Sequence, residues 1–130
     1  QISQGADVIF AAAGGTGVGV LQTAADEGIL SIGVDSNQNH LHPGKVLTSM
    51  LKRVDVAVYN ILKDGADLEV DKITLDLADN GVGYAMDDNN ADLITEEIQA
   101  SVEDAKAKII AGDIEVHNYA SDDSCPVLNF

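Results

Sequence analysis

The sequence is poor in aromatic and basic residues. Its 130 residues include two Phe, three Tyr and no Trp, and 7 Lys and Arg stand against 22 Asp and Glu. Proteins that grip a ring by stacking use aromatic side chains, so some stacking partners of a ring-shaped ligand would lie outside this chain. The formal net charge of −15 repels nucleic acid phosphates and anionic membrane surfaces, which argues against both as partners.

Cysteines and long apolar runs are also scarce. The lone Cys125 cannot form an internal disulfide and indicates nothing about compartment. No stretch approaches the ~18 apolar residues of a membrane helix. The first residue is Gln1 rather than Met, as expected of a processed or cleaved chain, so the lack of a signal peptide does not argue for the cytoplasm. Hydrophobic residues still make up 45% of the chain, enough to build a core.

The N-terminal third predicts a strand–helix–strand unit. Residues 7–13 (DVIFAAA) are apolar after the first and predict a strand buried on both faces of a parallel sheet. A glycine-rich turn, GGTGVG, follows at 14–19 and leads into a helix over 18–27, which Gly28 closes. A second, mostly apolar strand is predicted over 30–34. Short links between these elements indicate a parallel βαβ unit, and so an α/β fold.

Further elements alternate along the rest of the chain. The longest is a helix that Thr95 caps and Gly112 ends, with acidic residues in its first turn that complement the helix dipole. The other predicted elements, in chain order, are a polar loop at 36–44, a strand at 45–51, a helix at 55–62, a strand at 72–77, a turn at 79–81, a strand at 82–86, a strand at 114–117 and a loose tail.

The glycine turn, Asp35 and Lys52 together indicate a ligand site. Ligands of open α/β sheets bind beyond the carboxyl ends of the strands, where the turn and Asp35 are both predicted to lie. Glycines let the backbone approach a ligand, and the next helix, which Thr16 is placed to cap, offers free N–H groups. An acid about 20 residues past such a turn is placed to bind ribose hydroxyls. Lys52 and Arg53 end the third strand, and a strand-end lysine opposite Asp35 could bracket a sugar.

The sequence argues against a dinucleotide site, a metal site and a catalytic site. Val20 occupies the last glycine or alanine position of the G-x-G-x-x-G fingerprint, where a β-branched residue would push the helix off the strand. His40 and His42 lack a specific metal-ligand spacing. Thr48 and Ser49 do not lie in the strand-to-helix turn of a nucleophile elbow, and we predict that they are ordinary hydroxyl residues of a strand. We therefore predict no catalytic residues, no metal and no cofactor.

Three segments in order resemble the Bmp family. They are GADVIFAAAGGTGVGVLQTA at 5–24, IGVDSNQ at 32–38 and VLTSMLKRVDVAVYNILKDG at 46–65. The segment at 81–117 is similar to the C-terminal part of that family. Bmp proteins are basic membrane lipoproteins or purine-nucleoside receptors, which serve ABC importers as substrate-binding components.

The resemblance implies both a fold and a site. Family members have two lobes with the ligand in the cleft between them, so the expected fold is α/β, periplasmic-binding-protein-like of type I, with a parallel sheet. In the nucleoside receptors a glycine of the GGTG turn, the aspartate of GVDS and the lysine of LKR bind the ribose. By position these match Gly14, Asp35 and Lys52, and Gly15 adjoins the first. The resemblance also implies a nucleoside ligand, a permease partner, and a periplasmic or extracellular location with a possible lipid anchor.

Family members are more than twice as long as this chain. The resemblance therefore implies that residues 1–130 are the C-terminal portion of a two-lobed protein, with about 46–77 crossing to and from the N-terminal lobe and about 119–130 forming a tail. The missing lobe, or a fragment that carries it, is then an expected partner. A nucleotide-dependent enzyme domain of Rossmann type and a ligand-sensing receptor on the same fold are the alternative functions.

Overall fold

A computed structural model describes residues 1–65, 73–118 and Ser124 of the chain. Within these residues, three helices and four strands follow the order β1–α1–β2–β3–α2–β4–α3. Single-turn 3₁₀ helices add to them at Ile2–Gln4, Gly14–Thr16 and Asn39–Leu41. The bounds of the principal elements are β1 Val8–Phe10, α1 Gly17–Asp26, β2 Leu30–Gly33, β3 Val46–Lys52, α2 Val54–Asp64, β4 Val82–Tyr84 and α3 Glu96–Ala111.

The four strands form one sheet in the order β1-β2-β3-β4. β1 pairs with β2 and β2 with β3 in parallel, which confirms the predicted βαβ unit and the mostly parallel α/β fold. The register between β2 and β3 shifts once, between Ser31 and Ile32. β4 pairs antiparallel with the second half of β3, from Met50 opposite Tyr84 to Lys52 opposite Val82.

The core lies between α1 and the parallel strands. Leu21 and Ala24 of α1 are 2% and 1% exposed, as their helical spacing predicts, and they pack against the sheet. Gly17, the first residue of α1, is also buried and lies close to the chain that follows β1, since a Cβ built on it would be in ordinary van der Waals contact, at 3.5 Å, with the carbonyl oxygen of Ala11. On the sheet, Val46 is fully buried.

The longest helix has the predicted ends. The Thr95 hydroxyl accepts a hydrogen bond from the backbone N–H of Ile98 at 3.2 Å, and Gly112 ends α3 with a φ of 83°. The Tyr84 hydroxyl donates to the Glu103 carboxylate at 2.9 Å, which ties α3 to β4. A cavity of about 560 Å³ lies between β3, β4 and α3, and Val102 and Ile109 line it.

Two predicted strands are wrong, and three others, β1, β2 and β4, end earlier than predicted. Residues 73–77 and 114–117 are not in a strand, and Lys72 lies outside the described residues. Alternating apolar residues form a strand only where a neighbouring strand offers a hydrogen-bonding edge, and the backbone of Asp76 bonds locally instead, accepting from Gly81 N–H at 2.8 Å. β1 ends at Phe10 because the chain turns there, with Ala13 N–H donating to the Ala11 carbonyl at 2.9 Å. The predicted tail lies outside the described residues except for Ser124.

Helix α2 has most of its apolar side chains exposed to solvent. None of its residues is buried, and Val58, Tyr59 and Leu62 are 50%, 66% and 75% exposed. Soluble monomers rarely present a contiguous apolar helix face of this kind, so such a face marks a contact surface. Among the described residues, no helix has the length and apolar character needed to cross a membrane.

Candidate functional site

The sheet brings Asp35 and Lys52 together at one edge. β2 and β3 run parallel, so their carboxyl ends meet at the same edge of the sheet. The backbone N–H of Lys52 donates to the backbone carbonyl of Asp35 at 2.8 Å, which fixes the two residues side by side. Both residues are exposed. The predicted acid and base therefore lie next to each other and are open to solvent.

Asp35 has an unusual backbone conformation. Its φ is 68°, in the left-handed region, and Asn80 is the other non-glycine residue with a positive φ among those described. Ser36 N–H donates to the Val34 carbonyl at 2.9 Å, so the hydrogen bond closes a three-residue γ-turn around Asp35. With a positive central φ this turn is the rare and strained form. Strain of this kind is found at functional sites, where the surrounding structure maintains it.

The glycine turn follows the neighbouring strand β1. Gly14 and Gly15 are exposed, lie in a 3₁₀ turn and continue directly into α1. Gly14 has a φ of 53°, which its lack of a Cβ allows. The predicted cap is wrong, since the Thr16 side chain makes no capping hydrogen bond and its backbone is already helical. β1 and β2 are parallel, so this turn lies at the same edge as Asp35.

Arg53 differs from its neighbour Lys52. Its guanidinium donates from Nε at 3.0 Å and from an Nη at 2.8 Å to the Asp55 carboxylate in the first turn of α2. These hydrogen bonds lower the pKa of Asp55 to about 2. The acidic partner offsets the unfavourable effect of a cation at the helix N-terminus. Arg53 thus has a structural explanation, and Lys52 is the basic residue left at the site edge.

A buried network of polar side chains lies behind this edge, and the sequence did not predict it. Ser49 and Asn39 are fully buried, and the Ser49 hydroxyl donates to Asn39 Oδ1 at 2.8 Å. Asn90 is 1% exposed and donates to the backbone carbonyls of Leu47 and Ala85 at 2.9 and 3.0 Å. Two neighbouring hydroxyl residues within a mostly apolar strand, which follows a loop rich in Asn and Gln, were the available signal. The network joins the loop after Asp35 to β3 and to the segment after β4.

Asp87 binds this loop from the opposite side. Its carboxylate accepts from Asn37 Nδ2 at 2.6 Å, from Asn89 N–H at 2.7 Å and from Asn39 Nδ2 at 3.4 Å. Hydrogen bonds to the ionised form, first of all from Asn37, lower the pKa of Asp87 below its ordinary 3.8. The contribution of the charged carboxylate to stability is therefore complete above the ordinary value and is lost as the pH falls through the lowered one.

We expect Asp87→Asn to flatten the acid branch of the stability curve. The wild-type protein should lose unfolding free energy more steeply than the variant as the pH falls below the ordinary pKa of 3.8, because only the wild type has a carboxylate here that binds a proton less readily in the folded chain than in the unfolded chain. Denaturant unfolding at a series of pH values measures this difference. Asp88→Asn, at the exposed neighbouring residue, is the control and should keep the wild-type slope. Equal slopes for all three proteins would contradict the assigned role of Asp87.

Neither a metal site nor the large cavity involves these residues. Within residues 1–65 and 73–118, no group of three His, Cys, Asp or Glu side chains could hold a metal ion. His40 is exposed in its short 3₁₀ turn. The cavity beside α3 is lined by other residues than Gly14, Gly15, Asp35 and Lys52. Gly14, Gly15, Asp35 and Lys52 are all exposed, and each follows or ends one of three parallel strands.

The chain is similar to known proteins along most of its length. A family model described as ABC transporter substrate-binding protein PnrA-like, the Bmp family, matches residues 1–119. The CD4+ T-cell-stimulating antigen of Listeria monocytogenes is 38% identical over 135 aligned positions, which cover 88% of this chain and 36% of that protein. Basic membrane protein D of Borreliella burgdorferi is 36% identical over 91 positions, which cover 65% of this chain and 27% of that protein. The chain thus spans about a third of the length of these relatives.

Solved structures share the fold. An ABC transporter solute-binding protein from Aeropyrum pernix superposes with a TM-score of 0.70 and 27% identity, over 95% of this chain and 44% of that one. A structure described as a transcriptional activator of the comK gene, from Bacillus halodurans, has a TM-score of 0.77 and 24% identity. The superposition covers 89% of this chain and 41% of that one. The fold is therefore that of solute-binding proteins. With the family match over residues 1–119, the chain belongs to the Bmp family of PnrA-like ABC-transporter substrate-binding proteins.

Proposed function

We propose that this chain forms one wall of a purine-nucleoside site in the substrate-binding component of an ABC importer. The observation that carries the proposal is the hydrogen bond between Lys52 N–H and the Asp35 carbonyl, which sets an acid and a base side by side at the strand ends. Small ligands of open α/β sheets bind at this edge. Membership of a substrate-binding family supports the same role.

Each site residue has a chemical role in this proposal. The Asp35 carboxylate accepts hydrogen bonds from ribose hydroxyls, and Lys52 donates to a ribose oxygen. Gly14 and Gly15 carry no side chain that would hold the sugar away from the backbone, and no heavy atom lies within 4 Å of a Cβ built at either position. The strained turn at Asp35 supports a binding role for its carboxylate. Contacts to the base come from elsewhere in the protein, since this chain has few aromatic residues.

A second lobe completes the cleft. The relatives are about three times as long as the aligned region, and the exposed apolar face of α2 supports a crossing of about 46–77 into an N-terminal lobe of the same protein. In this arrangement the ligand closes the two lobes by a hinge motion, and the closed form docks on the permease. The lobe is present either in one longer chain or as a separate fragment that stays associated.

The location follows from the same relatives. Proteins from Borreliella are named basic membrane proteins, and a protein of Pyrococcus abyssi that is 40% identical over 91 residues is named a lipoprotein. These names support a periplasmic or extracellular location with a lipid anchor. Binding without catalysis is proposed, because the family is one of substrate-binding proteins and Val20 interrupts the dinucleotide fingerprint.

Calorimetry on the full-length protein tests the proposal. We expect saturable binding of a purine nucleoside, with the free purine base bound at least about tenfold more weakly, because it lacks the ribose that Asp35 and Lys52 would contact. NAD and ATP are the comparison ligands for the Rossmann-type alternative. Binding of either of these in preference to the nucleosides would overturn the proposal.

A further inference from the structure

The chain folds back on itself directly after Asp35. Oε1 of the Gln38 side chain accepts a hydrogen bond from the backbone N–H of Val34 at 2.8 Å. The backbone N–H of Gln38 donates to the hydroxyl of Ser49 at 3.0 Å. Gln38 is thus held through both its side chain and its backbone, and residues 34–38 form a closed loop with Asp35 inside it. We call this arrangement the Gln38 clasp.

Ser49 attaches the Gln38 clasp to the sheet. It lies in β3, opposite Gly33 of β2, and is fully buried. Its hydroxyl accepts from Gln38 and donates to Asn39, so its donor and one of its acceptor sites are both used. Buried polar groups that lose their partner are costly. The hydroxyl therefore fixes where Gln38 sits relative to the two strands that carry Asp35 and Lys52.

The clasp also lies tightly against the β2 backbone. A Cβ built on Gly33 would lie 2.7 Å from Ser49 Oγ and 2.8 Å from Gln38 Oε1, closer than real Cβ atoms approach other atoms. Glycine at this position is thus what allows the Gln38 side chain to reach Val34 N–H. The glycine of β2, the serine of β3 and the glutamine of the loop fit together as one unit.

We propose that Gln38 is a positioning residue, which holds Asp35 in its left-handed conformation so that the carboxylate meets the ligand. This inference rests on the proposed function of Asp35. Three hydrogen bonds fix the peptide groups around Asp35: Val34 N–H to Gln38, Ser36 N–H to the Val34 carbonyl, and Lys52 N–H to the Asp35 carbonyl. The first alone involves a side chain. A strained conformation persists where its surroundings determine it several times over, and preorganisation of this kind raises affinity.

The substitution Gln38→Met in the full-length protein tests the proposal. Methionine has a similar length but lacks the acceptor for Val34 N–H. We expect the affinity for a purine ribonucleoside to fall about tenfold by calorimetry, the loss of one well-placed hydrogen bond. Affinity for the 2′,3′-dideoxynucleoside of the same base should not change, because this analogue lacks the hydroxyls that Asp35 would bind. A general loss of structure would weaken both ligands equally and would overturn the proposal.

Hydrogen exchange provides a readout that needs no ligand. In Gln38→Met the amide of Lys52, which donates to Asp35, should exchange about tenfold faster, while the amides in the middle of α3 keep their wild-type rates. Gln99→Met, the same change at an exposed position of α3, is the matched control and should leave both readouts unchanged. Unaltered exchange at Lys52 in Gln38→Met refutes the clasp. Failure of the wild-type protein to bind any nucleoside refutes the proposed function, and the exchange rates still decide the role of Gln38.

Discussion

Replacing Asp35 by asparagine should weaken nucleoside binding by about 2 kcal/mol, or roughly thirtyfold, because a buried ribose loses a charged acceptor. Asparagine is the informative substitution here. Asn and Asp both tolerate a positive φ, so the turn with φ of 68° survives the change. Asp35→Ala should lose at least as much affinity, but alanine also disfavours this conformation. Isothermal calorimetry on the full-length protein measures the difference.

Two controls separate the carboxylate from the backbone in this experiment. Asp35→Gly removes the carboxylate and adopts the left-handed conformation freely, so it should bind at least as weakly as Asp35→Asn. Asp92→Asn makes the same chemical change at another exposed aspartate and should keep wild-type affinity. Wild-type affinity in Asp35→Asn and Asp35→Gly would rule out the assignment of this residue to the ribose.

The second large effect is on stability. We expect Gly33→Ala to lower the free energy of unfolding by about 2–3 kcal/mol, since the added methyl group overlaps Ser49 Oγ and the Gln38 side chain and displaces two partly buried hydrogen bonds. The Ser49 hydroxyl also donates to the buried Asn39, and the Cβ of Gln38, 2.9 Å from the added methyl group, moves only together with its backbone, so neither neighbour can shift without a further loss. Urea unfolding followed by circular dichroism measures the change.

Gly83→Ala is the matched control for this prediction. Gly83 also lies within a strand, has no positive φ, and has no atom within 4 Å of a built Cβ. Alanine there should be neutral or slightly stabilising, because it reduces the freedom of the unfolded chain. If the two alanine variants unfold at the same urea concentration, the close packing around Gly33 carries no energetic weight.

Local signals predicted the fold where the elements depend on their own residues. The glycine turn, the helix that Gly28 closes and the Thr95 cap are set by backbone geometry within a few residues. The first two strands are mostly apolar, with Ser31 as the polar residue of β2. The adjacency of Asp35 and Lys52 was also predictable, because the ends of neighbouring parallel strands share an edge. Thr16 failed as a cap because the 3₁₀ turn before α1 already places its backbone in a helical conformation.

Other features depend on partners that are distant in sequence. The segment 73–77 has the alternation of a strand, but alternation says nothing about whether a neighbouring strand is available. The sequence predicted Ser49 as one of two hydroxyl residues along a strand. Its role depends on Gln38 and Asn39, which lie on a loop that folds over it. Asp87 lies 50 residues after Asn37, so no local pattern relates them. Polar networks of this kind are fixed by the tertiary fold rather than by spacing.

Strand β3 links the parallel and the antiparallel parts of the sheet. Its first half pairs with β2 and its second half with β4, yet it is one continuous strand of seven residues. Lys52 ends it, and Val54 begins α2 two residues later. The backbone N–H of Arg53 between them donates to Gly81, just before β4. The strand end that carries Lys52 is therefore connected directly, within two residues and one hydrogen bond, to the N-terminus of α2 and to the chain that enters β4.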